Sequence, residues 1–556
     1  MKLPRILDNE QSGDHEKETV IMSHHERYTV GQSTSGLTVL FTVMCIVDLF
    51  GVFPIIALPK SVISCGIYGI PLVFAVIGLQ LYTAVLLGRS WLLAQELCPH
   101  VSEKNRFPYP ALAELAFGPG ARKLVIFLID ATVFGSGIPN FILASQSLQI
   151  FWWKISGGSI GVTYCVWMLL LALLLCPVMW LGSPKDMKPL ALASVFIVST
   201  VSMSTWSCIL QDDESPIPES SVLEHRPRLE DFLIAYGILS FQFDIHPMLL
   251  TLQVDMKDSK KVNAAVLGGF AATGLMSAVT TCLAANRYGL DVENNILQGI
   301  PSSIPLYLVA LLVTLQLCLS SAVGNSALFQ HVEDFFKVPR DFCYQRCLVR
   351  TSIVAVAVFL AESVPRFDLV MGLVGSTLTG PLMFIFPPLF FIKLCYMKTH
   401  LSRRQRNKNL LANNNYNAMI DANQNGALEA ESQNGAPEVE IQNGFLENGK
   451  QNGVDAGNLG AANLSNVPLI YKVVPYRKYN TFTRTNEYPE DEYAVQWYDV
   501  MLALIVMAMG ISATIVAAYS SWSNSIAYAT FSPPCLMNAT EAARSFLKQP
   551  MVSKIY

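Results

Sequence analysis

The sequence predicts an all-α integral membrane protein with about eleven transmembrane helices. Of its 556 residues, 52% are hydrophobic and only 14% are charged, whereas a soluble chain usually carries about 25% charged residues. The mean hydropathy is +0.38. The apolar residues are concentrated in runs of about twenty residues, the length that a helix needs to cross the hydrocarbon core of a bilayer.

The apolar runs define the predicted spans and their orientation. The loops on one side of the membrane carry most of the Lys and Arg residues, which predicts a cytosolic N-terminus. An odd number of spans then places the C-terminus outside the cell or in a lumen. The predicted spans are residues 36–65, 67–93, 124–153, 160–181, 187–210, 232–254, 262–285, 304–330, 348–362, 367–395 and 497–522.

The composition divides the chain into five segments. A polar, disordered cytosolic tail (1–35) precedes a ten-helix core (36–397), and a low-complexity cytosolic insert (398–495) precedes the eleventh span (496–522) and an exterior or luminal tail (523–556). The insert repeats Gln-Asn-Gly and contains few residues that could form a core, so we expect disorder. The last tail contains Asn538 in an Asn-Ala-Thr glycosylation signal.

The first apolar run is interrupted near its middle, at a depth where lipid cannot replace lost hydrogen bonds. It contains Asp48, Gly51 and Pro54. Proline donates no backbone hydrogen bond and crowds the carbonyl one turn earlier. Such a break persists in a membrane only where protein or a watery cavity satisfies the freed groups. We therefore interpret it as a binding site.

The sixth span is interrupted in the same way, at Phe243, Asp244, His246 and Pro247. The two breaks occupy the first span of each five-helix half, which is typical of an inverted-repeat secondary transporter. The N-terminal helix ends freed at the breaks would attract a carboxylate, and the C-terminal ends would attract an amine or a cation. An amino acid carries both groups. The alternative is that Pro54 and Pro247 only kink two packed helices.

Polar side chains in the spans are the candidates for coupling an ion. A carboxylate at the bilayer centre costs about 2.5–3.5 kcal/mol, so we expect Asp48 and Asp244 to contact the coupling ion or the substrate. His246 either titrates or caps the broken helix. We nominate Asn140 for substrate binding and Asn325 for ion coupling, against the alternative of hydrogen bonds between helices. For a sixth polar group, Asp130, we expect such an interhelical hydrogen bond.

Several classes of function receive no support from the sequence. The net charge of -4 is small and no basic run with interleaved aromatic residues occurs, so we expect no nucleic-acid partner. No arrangement of nucleophile and base, metal-ligand spacing or phosphate loop indicates an enzyme. We expect amino acid and membrane lipid as partners, no bound metal, and no cofactor other than a coupling proton or sodium ion.

Four short motifs carry a resemblance to a known family. They are Ala57-Leu58-Pro59, Phe117-Gly118-Pro119, the Gly-Ser-Pro-Lys-Asp run at 182–186, and His246-Pro247 followed by Gln253 and Asp255-Met256. With these motifs the chain resembles the amino acid/auxin permease family. The resemblance implies a leucine-transporter-like fold of two inverted five-helix repeats plus an eleventh helix, which moves amino acids by alternating access with protons or sodium. It nominates as substrate-binding residues the backbone of Gly51, Val52 and Phe53, with Ser240, Phe241 and Phe243.

The chain departs from that family at both breaks. Relatives usually have a shorter glycine-rich passage in place of residues 51–54, and a glycine pair in place of Asp244-Ile245. Because glycine lets a ligand lie against the backbone, the bulkier residues here predict a smaller or more charged pocket. The sequence therefore leaves two hypotheses, a coupled amino acid transporter and a transport-inactive sensor, in the plasma membrane or an endolysosomal membrane.

Overall fold

A computed structural model describes most of the hydrophobic core of the chain. The described residues are 36–98, 107–156, 162, 164–180, 187–213, 222, 224–339, 342–364, 366–431 and 497–528. The N-terminal tail (1–35), residues 432–495 of the insert and the last residues with Asn538 lie outside them. In the described ranges the secondary structure is helical, apart from one isolated parallel bridge between Leu37 and Met256.

Eighteen α-helices can be numbered along these ranges. They are α1 (Val39–Phe50), α2 (Phe53–Ile56), α3 (Leu58–Ser64), α4 (Gly69–Leu97), α5 (Pro108–Phe117), α6 (Pro119–Ile155), α7 (Tyr164–Trp180), α8 (Met187–Leu210), α9 (Leu229–Gln242), α10 (His246–Asp255), α11 (Val262–Tyr288), α12 (Ile296–Gly299), α13 (Ile304–Gly324), α14 (Ser326–Phe335), α15 (Tyr344–Ser363), α16 (Phe367–Val374), α17 (Phe386–Glu431) and α18 (Trp497–Tyr528).

Eight helical stretches in the described ranges are long and apolar enough to cross a membrane, and α1 and α7 are shorter apolar helices. The predicted first span is divided into α1, α2 and α3, so none of its pieces has full length. The predicted ninth span corresponds to α15, which carries Arg346, Arg350 and Glu362. Within the described ranges the protein is thus all helical, with helices suited to a membrane.

The helices pack around two buried apolar clusters. One joins the helices of spans 3, 4, 5, 8 and 9 and includes Val52 and Phe53. The other joins spans 2, 6, 7 and 11 with the end of span 10 and includes Phe50 and Phe243. Helix α1 packs against α8 and α11, and α6 packs against α13. Large apolar side chains such as Phe74, Phe196 and Leu173 are exposed, as expected for a surface that faces lipid.

Three helices differ from the sequence prediction. The eighth span does not run to residue 330 as one helix, because α13 ends before Asn325 and α14 starts at Ser326. The tenth span contains two π-helical stretches, Gly375–Thr379 and Pro381–Ile385, where Pro381 cannot donate its hydrogen bond. Helix α17 extends past residue 398 into the predicted insert as far as Glu431. That extension contains no proline, the residue that costs most in a helix interior.

Candidate functional site

The first break is a two-residue interruption between α1 and α2. Helix α1 ends at Phe50, and the Gly51 N–H donates to the Val47 carbonyl at 3.0 Å. Gly51 has φ 61° and ψ −145°, a conformation that side chains disfavour. The next helix begins at Phe53 with Pro54 in its first turn. The last backbone carbonyls of α1 therefore accept no hydrogen bond from an N–H one turn later in the same helix.

The second break separates α9 from α10. Helix α9 ends at Gln242, and α10 begins at His246 with Pro247 in its first turn. Between them, the Phe243 N–H donates to Leu239 at 3.3 Å and the Asp244 N–H donates to Phe241 at 3.4 Å. The predicted interruptions of the first and sixth spans are therefore both present, and each is followed by a helix with proline in its first turn.

Aromatic side chains bring the two breaks together. The rings of Phe53 and Phe241 lie 5.9 Å apart and nearly perpendicular. The Phe50 ring contacts the Phe243 ring at 5.2 Å, and both contact Phe270 of α11. Phe243 is fully buried in this triplet, so its ring belongs to the packing beside the break. Phe53, the first residue of α2, thus meets Phe241 near the end of α9.

Asp48, one turn before the first break, forms a polar cluster with two other helices. Ser194 of α8 donates a short hydrogen bond to Asp48 Oδ1, and Gln316 Nε2 of α13 donates to the same atom at 3.3 Å. Gln316 Nε2 also donates to Ser194 Oγ at 2.6 Å. The carboxylate thus joins α1 to α8 and α13, and both partner groups are neutral.

Asp244 lies in a second polar cluster at the other break. Its side chain is 9% exposed, and its Oδ1 lies 3.9 Å from His246 Nδ1 in a fully buried ring. His246 Nε2 lies 3.0 Å from Thr83 Oγ1 of α4. The Thr379 hydroxyl, in the first π-helical stretch, faces the Asp244 carboxylate. This cluster joins α4, the α9–α10 break and span 10, and shares no residue with the Asp48 cluster.

Asn140 and Asn325 both contact Ser321, between α6 and α13. Asn140 Nδ2 donates to the Ser321 hydroxyl at 3.2 Å, and Asn325 Nδ2 donates to the Ser321 carbonyl at 2.8 Å. Asn140 and Ser321 also line a narrow, mostly apolar crevice. Asn140 therefore makes a hydrogen bond between spans 3 and 8, the alternative that the sequence left open, whereas the Asn325 bond stays within span 8. The roles of both in binding stay predictions.

The remaining nominated side chain, Ser240, is fully buried on α9. It lies one turn after Gly237, where α9 touches span 10 at Gly372 and Gly375. Asp130 hydrogen-bonds His331 of α14, with its Oδ1 2.6 Å from Nδ1, so the expected interhelical hydrogen bond is confirmed.

Sequence reasoning missed the partners that complete both clusters. They are Ser194, Gln316 and Thr83, each inside an apolar run, and Thr379, which follows Ser376 and Thr377. None of them belongs to a recognised motif. Only Gln316 could have been singled out from the sequence, because a glutamine side chain is unusual in an apolar span. Among the described residues, no group of three or more His, Cys, Asp or Glu side chains could hold a metal ion.

Comparison with known proteins identifies a family match over most of the membrane core. The model of the family described as transmembrane amino acid transporter protein matches residues 35–413. This match contains both breaks and both polar clusters, and it ends inside α17. It leaves α18 outside.

Named relatives are distant and cover the chain in part. Amino acid transporter AVT1J of Arabidopsis thaliana is 22% identical over 61% of this chain and 79% of its own length. Vacuolar amino acid transporter 3 of Schizosaccharomyces pombe is 23% identical to this chain, in an alignment that covers 67% of this chain and 56% of that protein. The crystal structure of MhsT in complex with L-phenylalanine aligns with a TM-score of 0.39 and 12% identity, over 64% of this chain and 87% of that one.

Proposed function

Since the chain belongs to the transmembrane amino acid transporter family, we propose that it moves amino acids across its membrane by alternating access, coupled to a proton or sodium gradient. The observation that carries this proposal is the contact between two interrupted helices, at Phe53 and Phe241. Helix ends freed inside a membrane protein offer amide and carbonyl groups that match the two charges of an amino acid. The proposal includes two inverted five-helix repeats and an eleventh helix.

In this proposal the substrate lies between the two breaks. Its charged groups contact the backbone of Gly51, Val52 and Phe53, and the α9 residues Ser240 and Phe241 complete the site. Because the Phe53 and Phe241 rings are in contact, they have to separate before a substrate enters. A small amino acid requires the least movement.

The groups proposed to couple the driving ion lie outside the proposed substrate site. Asp48 and Asp244 stand beside one break each, and His246 begins α10. Asn325 stands at the junction between α13 and α14. The protein would act in the plasma membrane or an endolysosomal membrane with its N-terminus in the cytosol.

Reconstitution of the purified protein into proteoliposomes tests the proposal. Each of the twenty radiolabelled protein amino acids is offered at two external pH values, with and without a sodium gradient. Concentrative uptake of at least one amino acid under one gradient is expected. Protein-free liposomes are the control for leakage.

One observation favours a sensor as the second candidate. The Phe50–Phe243 and Phe53–Phe241 ring contacts fill the space at the breaks and leave little room for the backbone contacts that transport needs. A sensor would bind an amino acid without accumulating it. Ligand-dependent thermal stabilisation in detergent, without uptake under either gradient, would favour the sensor over the transporter.

A further inference from the structure

The Asp244 cluster contains a pair of buried groups whose hydrogen bonding depends on one proton. Asp244 Oδ1 and His246 Nδ1 face each other at 3.9 Å. Neither atom has a hydrogen-bond partner among the described residues. Buried polar atoms are normally hydrogen-bonded, so this pair needs a physical explanation.

The other ring nitrogen determines the tautomer of His246. The Thr83 hydroxyl donates its proton within its own helix, to the carbonyls of Leu79 at 3.0 Å and Gln80 at 3.1 Å. With that proton donated to a backbone carbonyl, the Thr83 oxygen is an acceptor, and we assign the donor role to His246 Nε2, 3.0 Å away. A neutral imidazole carries one N–H. His246 Nδ1 consequently presents a lone pair to Asp244.

The nitrogen lone pair of His246 would repel an ionised Asp244 carboxylate at 3.9 Å. Burial adds to the free-energy cost of the charge on that carboxylate. Two groups act on the Asp244 carboxylate, the His246 backbone N–H and the Thr379 hydroxyl. Among the described residues, no Lys or Arg lies against this carboxylate to offset its charge. Helix α5 contributes Tyr109, whose hydroxyl donates to the Leu382 carbonyl at 2.6 Å. A proton on the Asp244 carboxyl removes the repulsion.

The Asp48 cluster differs in this respect. Asp48 Oδ1 accepts hydrogen bonds from Ser194 and Gln316, whereas Asp244 Oδ1 has no hydrogen-bond donor among the described residues. The two carboxylates, one beside each break, therefore differ in what faces Oδ1.

We infer that Asp244 carries the coupling proton, that His246 is its positioning residue, and that the driving ion is a proton. This inference rests on the proposed transport function. Asp244 takes up a proton when the cluster opens to one side of the membrane, and the O–H bond breaks when it opens to the other. One proton then crosses with each amino acid.

Infrared spectroscopy of the purified protein in detergent tests the protonation directly. At neutral pH the wild type should show the carbonyl band of a protonated carboxylic acid. That band should be absent from Asp244→Asn and present in the matched control Asp48→Asn. A wild type without the band, or a band unchanged in Asp244→Asn, would overturn the inference. If Asp244→Asn does not fold, a shift of the band in His246→Gln supports it and an unshifted band contradicts it.

Flux into sodium-free proteoliposomes tests the coupling, with an equimolar mixture of radiolabelled protein amino acids as the probe. A gradient of one pH unit should drive up to about tenfold accumulation for one proton per substrate. Asp244→Asn should exchange amino acids across the membrane but lose this accumulation. Wild-type accumulation that requires sodium would refute the proton while leaving transport intact. Wild-type accumulation under neither gradient would contradict both proposals.

Discussion

The close approach of α9 to span 10 predicts that Gly375 cannot be replaced by alanine. A Cβ atom at Gly375 would lie 1.9 Å from the Gly237 carbonyl oxygen and 2.9 Å from the Phe241 backbone nitrogen. These are backbone atoms of α9, so no side-chain rotation relieves the overlap. The helix must shift as a unit, and Phe241 with its contact to Phe53 must shift with it.

The expected cost follows from the size of the overlap. Inserting a methylene into a packed core typically costs about 1–3 kcal/mol, and we expect Gly375→Ala to reach about 3 kcal/mol because the clash is with backbone. The matched control is Gly274→Ala on α11, where an added Cβ meets nothing within 4 Å. That substitution should stabilise the protein by up to about 1 kcal/mol, because alanine has the better helix propensity.

Denaturation of the two variants in detergent, followed by intrinsic fluorescence, measures the difference. Gly375→Ala should unfold well below the wild type, and Gly274→Ala at or above it. Amino acid uptake should fall in Gly375→Ala even at temperatures where the variant remains folded, because the site lies on the displaced helix. Equal midpoints for the two variants would refute the proposed close contact between α9 and span 10.

Three further predictions follow from single contacts. Glu333→Ala should cost about 3–5 kcal/mol in denaturation experiments, because Arg350, 2% exposed, loses its carboxylate partner; an unchanged midpoint would contradict it. Phe241→Ala should admit larger amino acids in competition uptake assays, because its ring closes the contact with Phe53; an unaltered substrate profile would count against the site. Asp48→Ala should lower stability by about 1–3 kcal/mol, since buried donors lose their acceptor; wild-type stability would show that this cluster does not hold the helices together.

The sequence was sufficient to predict the breaks because their cause is local. Proline at residues 54 and 247 removes a hydrogen bond wherever the chain goes, and Gly51 supplies a conformation that few other residues adopt. The two interruptions were therefore predicted to within a residue or two. The roles assigned to the nominated site residues stay predictions.

The partners of those residues could not be predicted, since they depend on which helices meet. Asp48 with Gln316, and Asp244 with Thr379, lie far apart in the sequence. The π-helical stretches of span 10 were also unexpected. They place Gly375 against α9, and a register shift of this kind is decided by packing.

By itself the sequence determined the membrane-helical class, the approximate spans and the positions of both interruptions, because hydropathy and backbone chemistry act within a few residues. Tertiary structure alone decided that the breaks touch and that their carboxylates enter different surroundings. Asp48 Oδ1 accepts hydrogen bonds from Ser194 and Gln316, whereas Asp244 Oδ1 faces His246 Nδ1 at 3.9 Å. That contrast depends on the packing of distant helices, and it gives two chemically identical side chains different properties.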